Sequence, residues 1–155
     1  MRLHIHTKRH FNGALQEVWD LVTDMERFPS FFGGFGPIPA VTQVEVLYDT
    51  PKKGEKRKVH SADGGIITEE IVDFSPPKEH RYRLIGGFAP PFSWMVFDAE
   101  GVWRLSEGDD GTWVVWDYSF GIRSWLLIWL TAPLVWIFFR GAMKKCLDKM
   151  AHTYQ

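Results

Sequence analysis

No charged residue stands between Arg123 and Arg140, and the fifteen residues Trp125–Phe139, WLLIWLTAPLVWIFF, are apolar on every side of any helix they form. A helix of that kind must be buried deeply, line a cavity, meet a partner or touch a membrane. Fifteen residues fall short of the roughly 20 that span a bilayer, and Pro133 interrupts them. A spanning segment is therefore not expected. Trp125 and Trp129 followed by Arg140, Lys144 and Lys145 do have the composition of a helix lying at a lipid interface. The favoured alternative is a helix held by the rest of the chain, provided the rest of the chain supplies a sheet.

A chain of 155 residues fits one domain, 1–155, large enough for a core without disulfides or metals. Lys and Arg total 18 against 19 Asp and Glu, so no long-range field draws the chain to nucleic acid or to anionic lipid. The basic run Lys52, Lys53, Lys56, Arg57 and Lys58 falls at a hairpin and reads as a solvated turn. Cys146 is the single cysteine, which excludes an internal disulfide and fits a reducing compartment. The start, MRLHIHTKRHF, alternates and carries charge where a signal peptide would be apolar, so a cytoplasmic location is expected. Eight tryptophans, several in strand-like segments, are enough either to line an apolar pocket or to pack a small core.

Arg2 to Phe11 alternates with Leu3, Ile5 and Phe11 inward and the histidines outward, a half-buried first strand. Leu15, Val18, Trp19, Val22 and Met25 then recur at helical spacing, so a helix is expected over about Ala14 to Asp24, with Asn12 as cap. Phe28 to Phe32 adds a short second helix. The glycines of FFGGFGPIP precede a proline and an extended segment instead of opening a helix, the wrong context for a phosphate loop. That run is expected to be a mobile loop carrying Phe31, Phe32 and Phe35 over a pocket mouth. Strands follow at Val41–Tyr48, Glu55–Ser61, Ile66–Phe74, Arg81–Ile85, Ser93–Leu105 and Thr112–Phe120, separated by turns such as ADGG, SPPKEH and EGDDG. About seven antiparallel strands, two short helices after the first and a long terminal helix make an α+β chain.

These segments, AxxEVWDLVTDMERFP, GEKRKVHSADGGIITEEIVDF, RYRLIGG and TWVVWDYSF before a terminal helix, resemble the polyketide cyclase/dehydrase and lipid-transport family. That family belongs to the START-like, birch-pollen-allergen-like superfamily. The resemblance covers nearly the whole chain, through Val18, Trp19 and Asp24, through Gly54 and Arg57, and through Glu69 and Ile71. It implies a helix grip, a curved seven-stranded sheet wrapped around the terminal helix, with an apolar cavity between them for lipids, sterols, polyketides or hormones. In the related abscisic-acid receptors two mobile loops cover the mouth, matching Ser61–Gly65 and Gly86–Pro91. The first loop here lacks the receptors' Leu-Pro element, so hormone sensing does not carry over.

Strand parity gives an independent estimate of the inward face. Glu69 shares it with Ile67 and Ile71, Arg57 with Val59, Tyr82 with Leu84, and Asp117 with Val115; for Ser93–Leu105 parity leaves Met95, Phe97 and Trp103 or Val96, Asp98 and Val102. The resemblance points the same way for Arg57, Glu69 and Asp117. Three ionisable groups in an apolar pocket are costly unless paired, so Arg57 is expected to neutralise a carboxylate. The expected binding set is Arg57, Glu69 and Asp117 as polar anchors, with walls from Val59, Ile71, Tyr82, Leu84, Trp136, Phe139 and Met143. No catalytic signature is present, and in an enzyme Glu69 or Asp117 would carry the proton. His60 has outward parity, and Cys146 reads as a packed residue. No metal site or cofactor is expected. The expected partner is a small hydrophobic molecule in a carrier or sensor. Nucleic acid is not expected, while peripheral membrane contact and a homodimer stay open.

Overall fold

The structure, a computed structural model, describes residues 1–154. Strand β1 (Arg2–Phe11) is followed by helices α1 (Leu15–Val22) and α2 (Phe28–Phe31) and then by β2 (Val41–Val46), β3 (Lys56–Ser61), β4 (Ile66–Ser75) and β5 (Glu79–Gly86). A helical turn α3 (Phe92–Met95) leads into β6 (Val96–Gly108) and β7 (Gly111–Ile122), and one helix, Trp125–His152, closes the chain. All seven strands form one antiparallel sheet in the order β1-β7-β6-β5-β4-β3-β2. Short turns join β3 to β4, β4 to β5 and β6 to β7, longer connections join β2 to β3 and, through α3, β5 to β6, and β1 crosses over to pair with β7 in unbroken register from Arg2 opposite Gly121 to Phe11 opposite Thr112.

The boundaries depart from expectation where side chains take over backbone partners. α1 stops at Val22, because Asp24 Oδ1 accepts the N–H groups of Glu26 and Arg27 and turns the chain toward α2. Its first residue is preceded by Ala14 with no side-chain cap, so Asn12 does not cap it. The sixth strand begins at Val96, since the residues after Pro90 and Pro91 coil into α3. A bulge between Val96 and Asp98 then turns Phe97 out to solvent. Beyond the bulge Ala99, Trp103 and Leu105 are buried on the inner face; Met95 is buried within α3. Two apolar parities were legible in this stretch because the bulge breaks the alternation.

The terminal helix divides at Arg140. Its second half, Arg140–His152, buries Ala142, Met143, Cys146, Leu147, Met150 and Ala151 against β1 and α2. Tyr154 ties the end down, its hydroxyl donating to the Glu17 carbonyl at 3.0 Å and its ring meeting Phe11. The first half is a short 3-10 turn, one α-helical stretch to Pro133, and a widened turn over Leu134–Phe139. Pro133 has no N–H to give the α-helical ladder, and the wider turn follows it directly. Of this half only Thr131 and Val135 are fully buried.

Candidate functional site

The concave face of the sheet, the loop after α2 and the terminal helix enclose a cavity of about 230 Å³. It exceeds the roughly 150 Å³ apolar void that takes up benzene, so a ring or short chain fits. Trp103, Trp116, Tyr118 and Phe120 form its back, Phe28 and Phe32 one side, and Leu134 and Phe139 the helix side. Five residues apart, Leu134 and Phe139 reach the same space across the widened turn. Both expected loops border it, the first through Ser61, Asp63 and Gly65 and the second through Gly87 to Pro91. Gly87 has φ +94°, and a Cβ there would lie 1.9 Å from the Ile66 carbonyl oxygen, so only glycine lets the second loop sit this close to β4.

Of the expected binding set, Arg57, Val59, Glu69, Tyr82, Leu84 and Phe139 line the cavity. Ile71 points inward but is packed solidly, 1 % exposed, and does not border the space. Three residues stand elsewhere. Asp117 lies on the outer face, accepting from His6 Nδ1 at 2.7 Å and from Arg104 at 3.2 Å. The inward residues of β7 are Val114, Trp116, Tyr118 and Phe120; Val115 misled because the outer face also carries apolar side chains, including Trp113 beneath Lys8. Trp136 is half exposed, with its indole N–H donating to the His4 carbonyl at 3.2 Å, since only one side of the helix meets the sheet. Met143 is sealed in solid core. Phe35 leaves the mouth to pack on Phe138, whereas Phe32 does border the cavity.

Trp116 and Tyr118 were missed with the parity of their strand. The signal was present: Asp117 and Ser119 share a parity, and two polar residues mark the outer face better than one valine marks the inner.

The polar floor is built by β3, β4, β5 and β7. Arg57 and Glu69 are register partners, and Arg57 Nε donates to Glu69 Oε1 at 2.8 Å with both residues buried. Burial opposes the guanidinium charge, but the Glu69 carboxylate outweighs it and holds Arg57 firmly protonated. The same guanidinium lies over the Tyr82 ring at 5.1 Å. Among the described residues, neither terminal nitrogen of Arg57 has a partner, and neither is sealed off from the cavity. Trp116 Nε1 donates to the Tyr82 hydroxyl at 3.1 Å, and the Tyr82 and Tyr118 hydroxyls share a hydrogen bond of 2.8 Å. Burial, the leading cause, pushes both phenols well up, so both stay protonated near neutral pH. An indole gives a proton and accepts none. The two hydrogen bonds use two of the three hydrogens, and one hydroxyl hydrogen is left over.

Next to this floor, His80 is buried between Phe74 and Tyr82. Burial first, then the Arg57 charge, push it down to about 3. Its Nδ1–H donates to the Asp73 carbonyl at 3.2 Å, and Nε2 is left as an acceptor with no partner among the described residues. Cys146 is sealed, and burial pushes its thiol up. Among the described residues no three His, Cys, Asp or Glu side chains converge on a metal position.

A sheet that grips one long helix over a cavity is the arrangement of the START-like, birch-pollen-allergen-like proteins. A profile described as polyketide cyclase/dehydrase and lipid transport matches residues 2–155, and the chain belongs to that family. No curated protein matches it in sequence. Among solved structures it is similar to major latex-like protein 151 of Panax ginseng, at 10 % identity and TM-score 0.74 over 100 % of this chain and 99 % of that one. It is also similar to norcoclaurine synthase from Thalictrum flavum, solved with dopamine and hydroxybenzaldehyde, at 13 % identity and TM-score 0.72 over 100 % and 89 %. An uncharacterised protein of Bacillus thuringiensis has 19 % identity and TM-score 0.70 over 98 % of each chain. At these identities the likeness is one of fold.

Proposed function

We propose that this chain is a cytoplasmic carrier or sensor of a small, mainly apolar molecule of lipid, polyketide or isoprenoid type that bears an acceptor oxygen. The apolar body lies against Val59, Leu84, Trp103 and Phe139, and the oxygen meets Arg57 and the tyrosine pair. The observation that carries this reading is the surplus of donors on the floor: among the described residues two guanidinium nitrogens and one hydroxyl hydrogen have no acceptor, against one carboxylate oxygen, Glu69 Oε2, with no donor. Buried donors demand acceptors, so a carboxylate, carbonyl or hydroxyl oxygen suits the floor better than an ammonium.

Native mass spectrometry of protein from a lipid-containing host is expected to show a co-purifying apolar mass. Titration with decanoate and with decylamine tests the polarity of the site. Decanoate is expected to bind at least about tenfold more tightly, as a charge-assisted hydrogen bond implies. Binding of neither, or a preference for the amine, sinks the reading. Removing the anchor tests its role: Arg57→Met alone strands the buried Glu69 and is expected to cost about 3–5 kcal/mol of stability. The double replacement Arg57→Met/Glu69→Met leaves no stranded charge and is expected to recover most of that loss without the preference for decanoate. Urea unfolding and the same titrations read both.

A further inference from the structure

One stripe of the terminal helix is left largely uncovered by the described residues, its one hydrogen bond to the sheet running from Trp136 to the His4 carbonyl. Leu126, Trp129, Leu130, Pro133, Trp136 and Ile137 succeed one another at helical spacing along its outer side, all exposed. Trp129 is 85 % exposed, Trp125 beside it 68 % and Trp94 of α3 66 %. Arg123 ties that turn to the helix start by donating to the Ser93 carbonyl at 2.9 Å. The four exposed indoles on this side, Trp94, Trp125, Trp129 and Trp136, present on the order of 500 Å². That already matches the largest apolar patch of an ordinary monomer before the aliphatic residues are added.

The same stripe changes character at Arg140. It continues through Lys144 and Lys145, all exposed, and Arg123 stands at its other end. From Arg123 to Leu147 there are four cations and no acidic residue. The first carboxylate on the helix, Asp148, is already held by Arg9 at 3.1 Å.

We propose that this face docks on a lipid bilayer containing anionic headgroups, with the indoles and leucines in the interface and Arg123, Arg140, Lys144 and Lys145 against phosphates. Indole rings favour the boundary between headgroups and acyl chains, and cations beside them add attraction to anionic lipid. Charge complementarity selects this occupant over a second copy of the chain. Two such faces packed in parallel would set cations against cations, and packed head to tail would bury them against apolar surface without a carboxylate. A spanning mode is excluded by the second half of the helix, whose Met143, Cys146, Leu147 and Met150 are core. By length and composition alone the whole helix would qualify to cross. The docked face adjoins the cavity, because Phe92 of α3 and Leu134 line the cavity from the other side. Docking itself does not depend on what the cavity holds.

Flotation of the full chain with vesicles of phosphatidylcholine, with and without phosphatidylserine, tests this at low and high salt. Association with the phosphatidylserine vesicles is expected, weakening with salt, and brominated lipid is expected to quench part of the tryptophan fluorescence. The exposed-site variant Trp129→Glu/Leu130→Glu is expected to lose about tenfold or more of this association, and Lys144→Glu/Lys145→Glu a similar part for anionic vesicles only. Neither site borders the cavity, so the first variant should still bind decanoate as the parent does, which separates failure of docking from failure of the cavity reading. Absence of flotation on both vesicles overturns the proposal, as does flotation that both variants leave unchanged. A concentration-dependent dimer that Trp129→Glu/Leu130→Glu dissolves, with no vesicle binding, also overturns it and assigns the face to a second copy.

Discussion

His80 carries the clearest electrostatic consequence of any single side chain. It is 1 % exposed and neutral in the fold, held down to about 3 by burial and by Arg57, against 6.5 in an open chain. Below pH 6.5 the unfolded chain binds a proton there that the folded chain refuses, so stability is full above that pH and drains away as pH falls toward 3. The loss is expected to approach ~1.4 kcal/mol per pH unit through this window from His80 alone. Urea unfolding from pH 7 to pH 4 is expected to show that slope, and His80→Gln to flatten it by about one proton. Alternation places His80 on the inward parity of Tyr82 and Leu84, but its complete burial and the charge of Arg57 beside it are not local signals. Tyr82 is two residues on along β5, Phe74 is the register partner from β4, and complete burial is a property of the assembled sheet. Arg57 and Glu69 were easier to read, since alternation places each beside apolar residues of its own strand and a short turn aligns the two strands. Asp117 was misread by the same rule, because β7 carries large side chains on both faces.

Tyr82 shows what an element needs from its neighbour. Its ring lies across Gly101 of β6, its register partner, and a Cβ at Gly101 would stand 2.5 Å from the phenol oxygen. Gly101→Ala is therefore expected to push Tyr82 off Tyr118 and Trp116 and to cost about 1–3 kcal/mol as overpacking does. Thermal unfolding checks the cost, and weaker decanoate binding is expected to accompany it because the hydroxyl pair is part of the floor. At the same scale, the terminal helix has an apolar composition that marked it as exceptional but did not say which side faced what. Phe139 reaches the cavity while Trp136, three residues earlier, lies outside against β1. The widened turn after Pro133 sets that phase, and a regular helical projection from the sequence does not contain it.

For the molecule as a whole, ligand and fold are linked. A molecule that enters the cavity of the folded state alone stabilises it by about 2.7 kcal/mol at a hundredfold excess over its Kd. In a chain of this size that corresponds to a rise in Tm of roughly 5–10 °C. Decanoate is expected to produce such a shift and decylamine a smaller one, read by differential scanning fluorimetry at matched concentrations; equal shifts would count against the donor surplus. Proteins only 10 % and 13 % identical hold the same arrangement along nearly their full length. A pattern of apolar and polar positions can therefore keep this fold while most residues change. The amino-acid sequence by itself determined the α+β arrangement, the seven strands, the closing helix and the placement of Arg57 and Glu69 on one face. Each of these follows from period-two or helical spacing and from turn residues, which act within a few positions along the chain. Only the tertiary structure decided that Asp117 turns out, that Met143 is packed solid, that one donor hydrogen is left over and that the outer stripe of the terminal helix stays bare. Those depend on bulges, a widened turn and contacts between distant strands, where the energy of a side chain is set by neighbours the local sequence does not name.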